Sequence, residues 1–573
     1  NETRFQFHRG TSESGGDISA PVIFVREAFT GGGSDRGPAE NSDTRYELSN
    51  YTTFTLGLHS LKAGARVRGV NITDLSQQGF NGTFTFSGGV APQLNGNNGI
   101  VFETSPTTGV VRPVFQNITS IERFRRTQIF QGLQEQCQQS PDGCLTPAEL
   151  LARGALPTQF LISGGNPEAS VSQVDFGAFI QDDWRMRKDF TLSAGLRYET
   201  QTNISSSFNF APRLSFAYSP GAGARQPKTV IRGGFGIFYT RFGEGFTLQT
   251  NRFNGENQQQ FIISAPDEDD TSLRATRARN ILNNFPTVPT VAQLNEFALP
   301  QTTRIVAPDL QTPYTIQSTA SVERLLPGRV TVTASFVNTR TLHLLRTRNI
   351  NAPLGGVRPL GEARGNVFQY ESSGILNQNQ LIVNANTRFN PNFSLFANYT
   401  FGKASSDTDG AGTFPADNYD LSTEYGRSAL DIRHRFFLGG SISAPWGIRL
   451  NPLIFASTGA PFNITTGLDN NGDTQFNDRP AFATDATLRQ NLRTTEFGNF
   501  DINPAPGTEI IPRNYGRSSG QFTVNVRIGK SFGFGEVPGA SARRTAANEQ
   551  TPASGGTPAA GGAGGRRGGA GGG

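Results

Sequence analysis

Residues 189–200 read DFTLSAGLRYET, and the parity of this stretch decides the fold. Phe190, Leu192, Ala194, Leu196 and Tyr198 share one face, while Thr191, Ser193, Gly195, Arg197 and Glu199 share the other. A two-residue period sends successive side chains to opposite sides of an extended chain, so this is a strand with one apolar and one polar face. The pattern recurs. It predicts further strands near 173–184, 209–219, 228–240, 312–325, 329–338, 377–389, 393–402, 431–443, 449–465 and 520–532. Weaker candidates lie near 3–9, 45–58, 60–69, 80–87 and 121–131, with 88–120 and 132–170 expected as loops. The total is about sixteen strands of about 10 to 14 residues, long enough to cross a bilayer when tilted.

Composition narrows what such strands can build. Only 35% of the 573 residues are hydrophobic, and the mean hydropathy of −0.38 is low for a soluble protein with a large core. No apolar run approaches the roughly 18 residues of a membrane helix. A transmembrane barrel gives the same average, because half of every strand faces a wet lumen. The net charge of +5 is small for this length and its basic residues are scattered, which argues against nucleic acid as a partner.

The connections alternate in kind. Short turns are expected at RMRKD, LPGR, NPN and APWG, and long polar insertions at about 241–310, 340–372, 404–430 and 467–518. Tight turns on one side and long loops on the other are the habit of outer-membrane barrels. The fold class is therefore all-β: a transmembrane antiparallel β-barrel with lipid on its apolar face and a lumen on its polar one. Barrel chains end on the periplasmic side, so the last strand, GQFTVNVRIGKSF, places every long loop outside the cell. Trp184, Tyr198, Tyr218, Tyr239, Tyr399 and Trp446 suit interfacial girdles.

Two domains are expected: the barrel over 1–535, and a disordered Gly/Ala-rich tail over 536–573 that ends GGAGGRRGGAGGG. The chain opens at Asn1 without a start Met or a charged-then-apolar leader, which reads as a signal peptide removed or never included. The only cysteines, Cys137 and Cys144, flank a Pro-Asp-Gly turn in CQQSPDGC and predict a loop disulfide in an oxidising compartment.

GAFIQDDWRMRKDFTLSAGLRYE, NFAPRLSFAYSP and KTVIRGGFGIFYTRF together resemble the barrel of TonB-dependent outer-membrane receptors. LLRTRNINAP, YESSGILNQNQLIVNANTRF, EYGRSALDIRHRF and STGAPFNITTGLDNNGDTQFNDRP are similar, in the same order, to the Oar-like branch. The resemblance spans 1–535 and implies a barrel of roughly 22 strands around an N-terminal plug. It also implies energy from TonB, ExbB and ExbD, and membrane insertion by the barrel-assembly machinery. Set against that family, the chain reads as the barrel portion of a longer receptor. An incomplete barrel has two open edges, so aggregation or an imperfect, partly open sheet is expected in isolation.

Candidate sites are few. DNNGDTQFND places Asp469, Asn471, Asp473, Gln475 and Asp478 at near-alternate positions, the spacing of oxygen ligands in calcium loops. The competing reading is a polar loop of Asx turns. Asp407, Asp409, Asp417 and Asp420 form a poorer version, and DEDD at 267–270 reads as a solvated loop. His434 reads as a rim or lumen residue, with Arg433 and Arg435 beside Asp431 as a lumen-side charge ladder. RGGFG at 232–236 lies inside a strand pattern, where its glycines are expected to ease curvature. No triad, zinc or glycosidase constellation stands out, and no other cofactor is expected. The function expected is a non-enzymatic receptor or transporter in the bacterial outer membrane, which captures an extracellular ligand through its loops. A plugless structural or adhesive barrel and a passive porin are the alternatives.

Overall fold

The computed structural model describes residues 1–105, 109–137, 144–221, 228–266, 270–297, 299–390, 392–530 and Phe532. The Gly/Ala-rich tail over 536–573, the side chain of Cys137 and residues 138–143 of the expected disulfide loop lie outside them.

The wall is one antiparallel meander in chain order. Its strands are β1 (Glu2–Ser14), β2 (Ala39–Leu56), β3 (His59–Ser76), β4 (Glu168–Arg187), β5 (Phe190–Gln201), β6 (Asn209–Tyr218) and β7 (Thr229–Tyr239). They continue as β8 (Tyr314–Leu326), β9 (Val330–Asn349), β10 (Val367–Asn390), β11 (Phe393–Ser406), β12 (His434–Ala444), β13 (Ile448–Ser457) and β14 (Gln521–Lys530). Two short segments bring the sheet to 16 strands: Thr303–Val306 runs parallel to β10, and Gly426–Arg427 pairs with β11. Among the described residues β1 pairs only with β2 and β14 only with β13, so the sheet is open between them.

The period-two reading locates the wall strands, and the apolar parity points outward. Phe522, Val524, Val526 and Ile528 on β14 are 73%, 49%, 54% and 70% exposed among the described residues. In a soluble protein this would be an aggregation surface; against lipid it is the favourable arrangement. The turns alternate as expected, with three residues or fewer between β2 and β3, β4 and β5, β8 and β9, β10 and β11, and β12 and β13. In APWG, Trp446 and Gly447 take φ of 63° and 69°, the left-handed pair that a tight hairpin requires.

Several expectations are corrected. Residues 121–131 are not a strand but part of helix α1 (Ser120–Cys137). Its inward face consists of Arg123, Arg126, Thr127 and Phe130, buried at helical spacing; because that face is largely polar, hydropathy alone misses it. The strand expected at 80–87 exists as Thr83–Phe86, but it belongs to a second sheet away from the wall. The strand expected over 449–465 stops at Ser457. The stretch 132–170, expected as a loop, contains α2 (Pro147–Ala152) and a strand at Gln159–Gly165. At Gly233 the absence of a side chain also makes room for the Phe216 ring, which a Cβ there would meet at 2.4 Å.

The second sheet is built entirely from long connections. Its order is Gln258–Ser264, Gln159–Gly165, Thr83–Phe86, Val22–Val25 and Phe29–Gly32, drawn from the β7–β8, β3–β4 and β1–β2 connections. One face packs Val25, Phe84, Phe86, Phe160, Ile162 and Phe261 against α4 (Leu273–Asn283) and α5 (Val291–Glu296). This is a conventional dry core, with Phe84 and Phe160 ring centroids 4.5 Å apart.

Candidate functional site

The opposite face of that second sheet carries Thr83, Thr85, Gln159, Ser163 and Gln260, as strand alternation requires. These polar side chains line a cavity of about 490 Å³. A larger cavity of about 750 Å³ lies alongside, with Arg123, Arg274, Arg358, Asp270, Glu362 and Asp469 among its walls. Thr474 and Phe476 line both, so the segment following Gly472 forms a partition between them.

The wall strands hold this assembly by ion pairs on their inner faces. Arg68 on β3 reaches Asp175 on β4 and Glu244 at the start of α3 (Glu244–Arg252), both at 2.7 Å. At the other end of α3, Arg252 pairs with Asp74 and donates to the carbonyl of Pro167 at 2.8 Å. Acid at the N-terminus and base at the C-terminus also suit the helix dipole.

The acidic loop is a hub of amide contacts. Asp473 is fully buried; its carboxylate accepts from Asn418 Nδ2 at 2.5 Å and from the Gln475 N–H at 2.8 Å. Asp478 accepts from the Asn470 N–H at 2.7 Å, and Asp469 Oδ2 from the Thr474 N–H at 2.9 Å. Asn471 Oδ1 accepts from the Asp473 N–H, while its Nδ2 donates to the carbonyl of Ala416. Asn349 Nδ2 donates to the Asp473 carbonyl, Asn366 Nδ2 to Thr474 Oγ1, and Gln159 Nε2 to the Thr474 carbonyl. The loop thus ties the β9–β10, β11–β12 and β13–β14 connections to the second sheet.

Asp473 lies close enough to Asp469 and Asp478 for its charge to oppose their ionisation. Burial raises Asp473 to about 6 and Asp478 to about 7, the latter also opposed by the charge of Asp473. Burial, with both neighbouring charges, lifts Asp469 well above the usual carboxylate range, and its Oδ1 is buried without a hydrogen-bond partner. Gln475 lines the smaller cavity while its N–H donates to Asp473. Among the described residues no group of three or more His, Cys, Asp or Glu side chains is arranged to hold a metal ion.

The remaining sequence candidates separate. Asp409 pairs with the buried Arg513, and Asp407 lies 2.7 Å from the buried Arg346. Asp417 accepts from the N–H groups of Tyr419 and Asp420 in an Asx turn, and Asp420 from that of Ser422. Asp431 pairs with Arg433 at 3.3 Å and with Arg517 at 3.0 Å, so Arg517 takes the place expected for Arg435. His434 is exposed against Phe401 and Tyr399, whose hydroxyl lies 2.8 Å from its Nδ1. Sequence reading missed Arg26, Arg304, Asn349, Asn366 and Asn418. Asn349 lies within RNINAP and Asn418 between Asp417 and Asp420; nothing local marks the others.

Solved structures similar to the chain at low identity include three outer-membrane proteins. The outer membrane transporter YddB from Escherichia coli is 10% identical with a TM-score of 0.48, over 91% of this chain and 53% of that one. The siderophore receptor PirA from Acinetobacter baumannii is 8% identical at 0.45, over 93% and 54%. The ferric enterobactin receptor PfeA from Pseudomonas aeruginosa is 10% identical at 0.42, over 92% and 59%. The chain thus spans between 53% and 59% of the length of these three proteins. No curated protein sequence matches it. The sequence profile of the outer membrane beta barrel domain matches residues 2–209 and 202–548. With lipid-ready strands throughout its wall, the chain belongs to the outer membrane beta barrel domain family and resides in the bacterial outer membrane.

Proposed function

We propose that this chain is the barrel portion of a TonB-dependent receptor of the Oar-like branch. Its barrel domain runs over 1–535 and is followed by the Gly/Ala-rich tail over 536–573. The long connections face outward and capture a ligand, which passes the barrel when TonB, ExbB and ExbD act on an N-terminal plug. The barrel-assembly machinery inserts the wall. The observation that carries this reading is the asymmetry of the two ends. At one end five connections are turns of two or three residues; at the other, three connections build a sheet with a dry core over two polar cavities. Loops that only sealed a pore would need no such interior.

The test is to purify the protein from native outer membrane, measure its intact mass and N-terminal sequence, and cross-link it to TonB. A species heavier than 61.7 kDa that carries a plug and cross-links to TonB supports energised transport. A species that begins at Asn1 and does not cross-link leaves the plugless adhesive barrel or the passive porin.

Two local proposals accompany it. Cys137 and Cys144 form a disulfide at the end of α1, which alkylation and mass analysis with and without reductant would detect. Asp469, Asp473 and Asp478 form a calcium-responsive cluster, for which the orphaned Asp469 Oδ1 is the supporting observation. Asp473 and Asp478 would exchange amide donors for the ion, and Asn471 and Gln475 would turn inward to complete the oxygen set. A calcium titration followed by thermal unfolding tests this, with no shift in Tm as the outcome that removes it.

A further inference from the structure

The smaller cavity carries two guanidinium groups that form no ion pair among the described residues. Arg26 stands 4.9 Å above the Phe476 ring, and Arg304 lies over Phe253 at 5.7 Å and Phe368 at 5.3 Å. All five side chains line the same space. Neither guanidinium forms an ion pair among the described residues, and Arg304 Nε is buried without a hydrogen-bond acceptor. Burial holds the Arg26 guanidinium below its usual pKa, with only partial compensation from Glu27. Asp35 is the one carboxylate in the wall.

An arginine stacked on aromatic rings keeps its planar edge free, and that edge matches a carboxylate or phosphate. A guanidinium sequestered without a counter-charge is costly unless something fills that role. Facing the two arginines is the polar side of the second sheet, with Thr83, Thr85 and Ser163 hydroxyls. Gln78, Gln249 and Gln475 also line the cavity, and among the described residues their side-chain amides are unbonded. Amides and hydroxyls in a row suit a ligand rich in hydroxyl groups, and the phenylalanine faces suit the C–H surface of a ring. At about 490 Å³ the space falls within the range of small-molecule sites.

We propose that the cavity between the polar face of the second sheet and the Arg26–Phe476 and Arg304–Phe253–Phe368 stacks binds a small, hydroxyl-rich anionic ligand, of which an acidic disaccharide is the fitting class. For its transport consequence this rests on the receptor reading; the binding stands apart from it. The test uses the full-length protein in detergent, with calorimetric titration of digalacturonate and, as an uncharged match, its dimethyl ester. Binding of digalacturonate is expected to exceed that of the ester by about tenfold or more, the usual weight of a charge-assisted hydrogen bond. Arg304→Gln and Arg26→Gln should each remove most of that preference, and the double variant should remove all of it. Arg304→Lys, which keeps the charge but not the planar edge, should fall between.

Equal binding of acid and ester, no binding of either, or unchanged binding by both Gln variants would overturn the proposal. Heat-modifiable migration on gels reports folding for each variant. If Arg304→Gln misfolds, Arg26→Gln and Arg304→Lys carry the decision. Binding without energised uptake would keep this site and remove the transport reading; uptake without binding would do the reverse.

Discussion

Phe336 in the wall and Phe160 in the loop assembly are the same residue on the same kind of alternating strand. Phe336 is 49% exposed and Phe160 is fully buried. In the wall, sheet neighbours follow each other along the chain, and lipid receives the apolar parity. In the loop assembly, helices α4 and α5 receive it, and the polar parity looks into a cavity. An alternating strand therefore states that its two faces differ; it does not state what covers the apolar one. The polar faces also differ in their use. The wall spends its inner charges on pairs such as Arg68 with Asp175, whereas Arg26 and Arg304 in the cavity form no ion pair among the described residues.

The largest test of this contrast is Phe160→Ala. Truncating a ring in a packed core leaves a cavity that surrounding groups fill poorly, at a cost of about 3–5 kcal/mol. Limited proteolysis should then cut the loop assembly near 258–300 while the wall keeps its heat-modifiable migration. If the wall unfolds at the same denaturant concentration, the two regions are one cooperative unit and the contrast fails.

Next comes Phe336→Arg, which places a charge on the lipid face. Near the bilayer midplane this costs about 2–4 kcal/mol, measured by denaturant titration in lipid vesicles. In detergent micelles thin enough to hydrate the position, the penalty should shrink. A penalty that is the same in water-exposed settings would mean that Phe336 does not face lipid.

The smallest effect concerns the acidic partition. Asp469, Asp473 and Asp478 have carboxyls whose pKa is raised in the folded loop. Between the ordinary carboxylate range near 4 and about pH 7 the folded loop holds more protons than the unfolded chain. Its stability is therefore full at low pH and is lost as pH rises through these raised values. Protection factors of the amides across 466–479, with the base-catalysed intrinsic rate divided out, should fall from pH 5.5 to 8. Asp478→Asn should flatten that profile and stabilise the loop by about 1–3 kcal/mol at pH 8. Restoration of protection by millimolar calcium at pH 8 would favour the cation proposal; restoration only by acid would remove it.

Legibility followed the same division. Every strand of the meander left a period-two trace, and the short turns fell where RMRKD, LPGR, NPN and APWG stand. Helix α1 did not, because Arg123 and Arg126 occupy positions where an apolar stripe would have announced a helix. Both are buried by bonding to carbonyls, Arg123 to Ser87 and Arg126 to Pro92, partners that a local window does not contain. Of the candidate site, DNNGDTQFND was visible as polar turns, and its Asx contacts are there. Its place as a partition depends on Asn349, Asn366, Asn418 and Gln159, each more than fifty residues away.

By itself the sequence determined the wall: which residues face lipid, which face the lumen, and on which side the long connections gather. Those follow from parity and turn length, because each wall strand pairs with its neighbours in the chain and its environment is fixed by which face it turns outward. The tertiary structure alone decided the second sheet and its cavities. Thr83–Phe86 pairs with Val22–Val25 and Gln159–Leu161, and the strand beyond closes at Gln258–Ser264. Segments of 4 to 7 residues contributed by three separate connections carry too little local pattern to choose such partners. Only their joint burial under α4 and α5 selects them, and only then do Arg26 and Arg304 meet across one cavity.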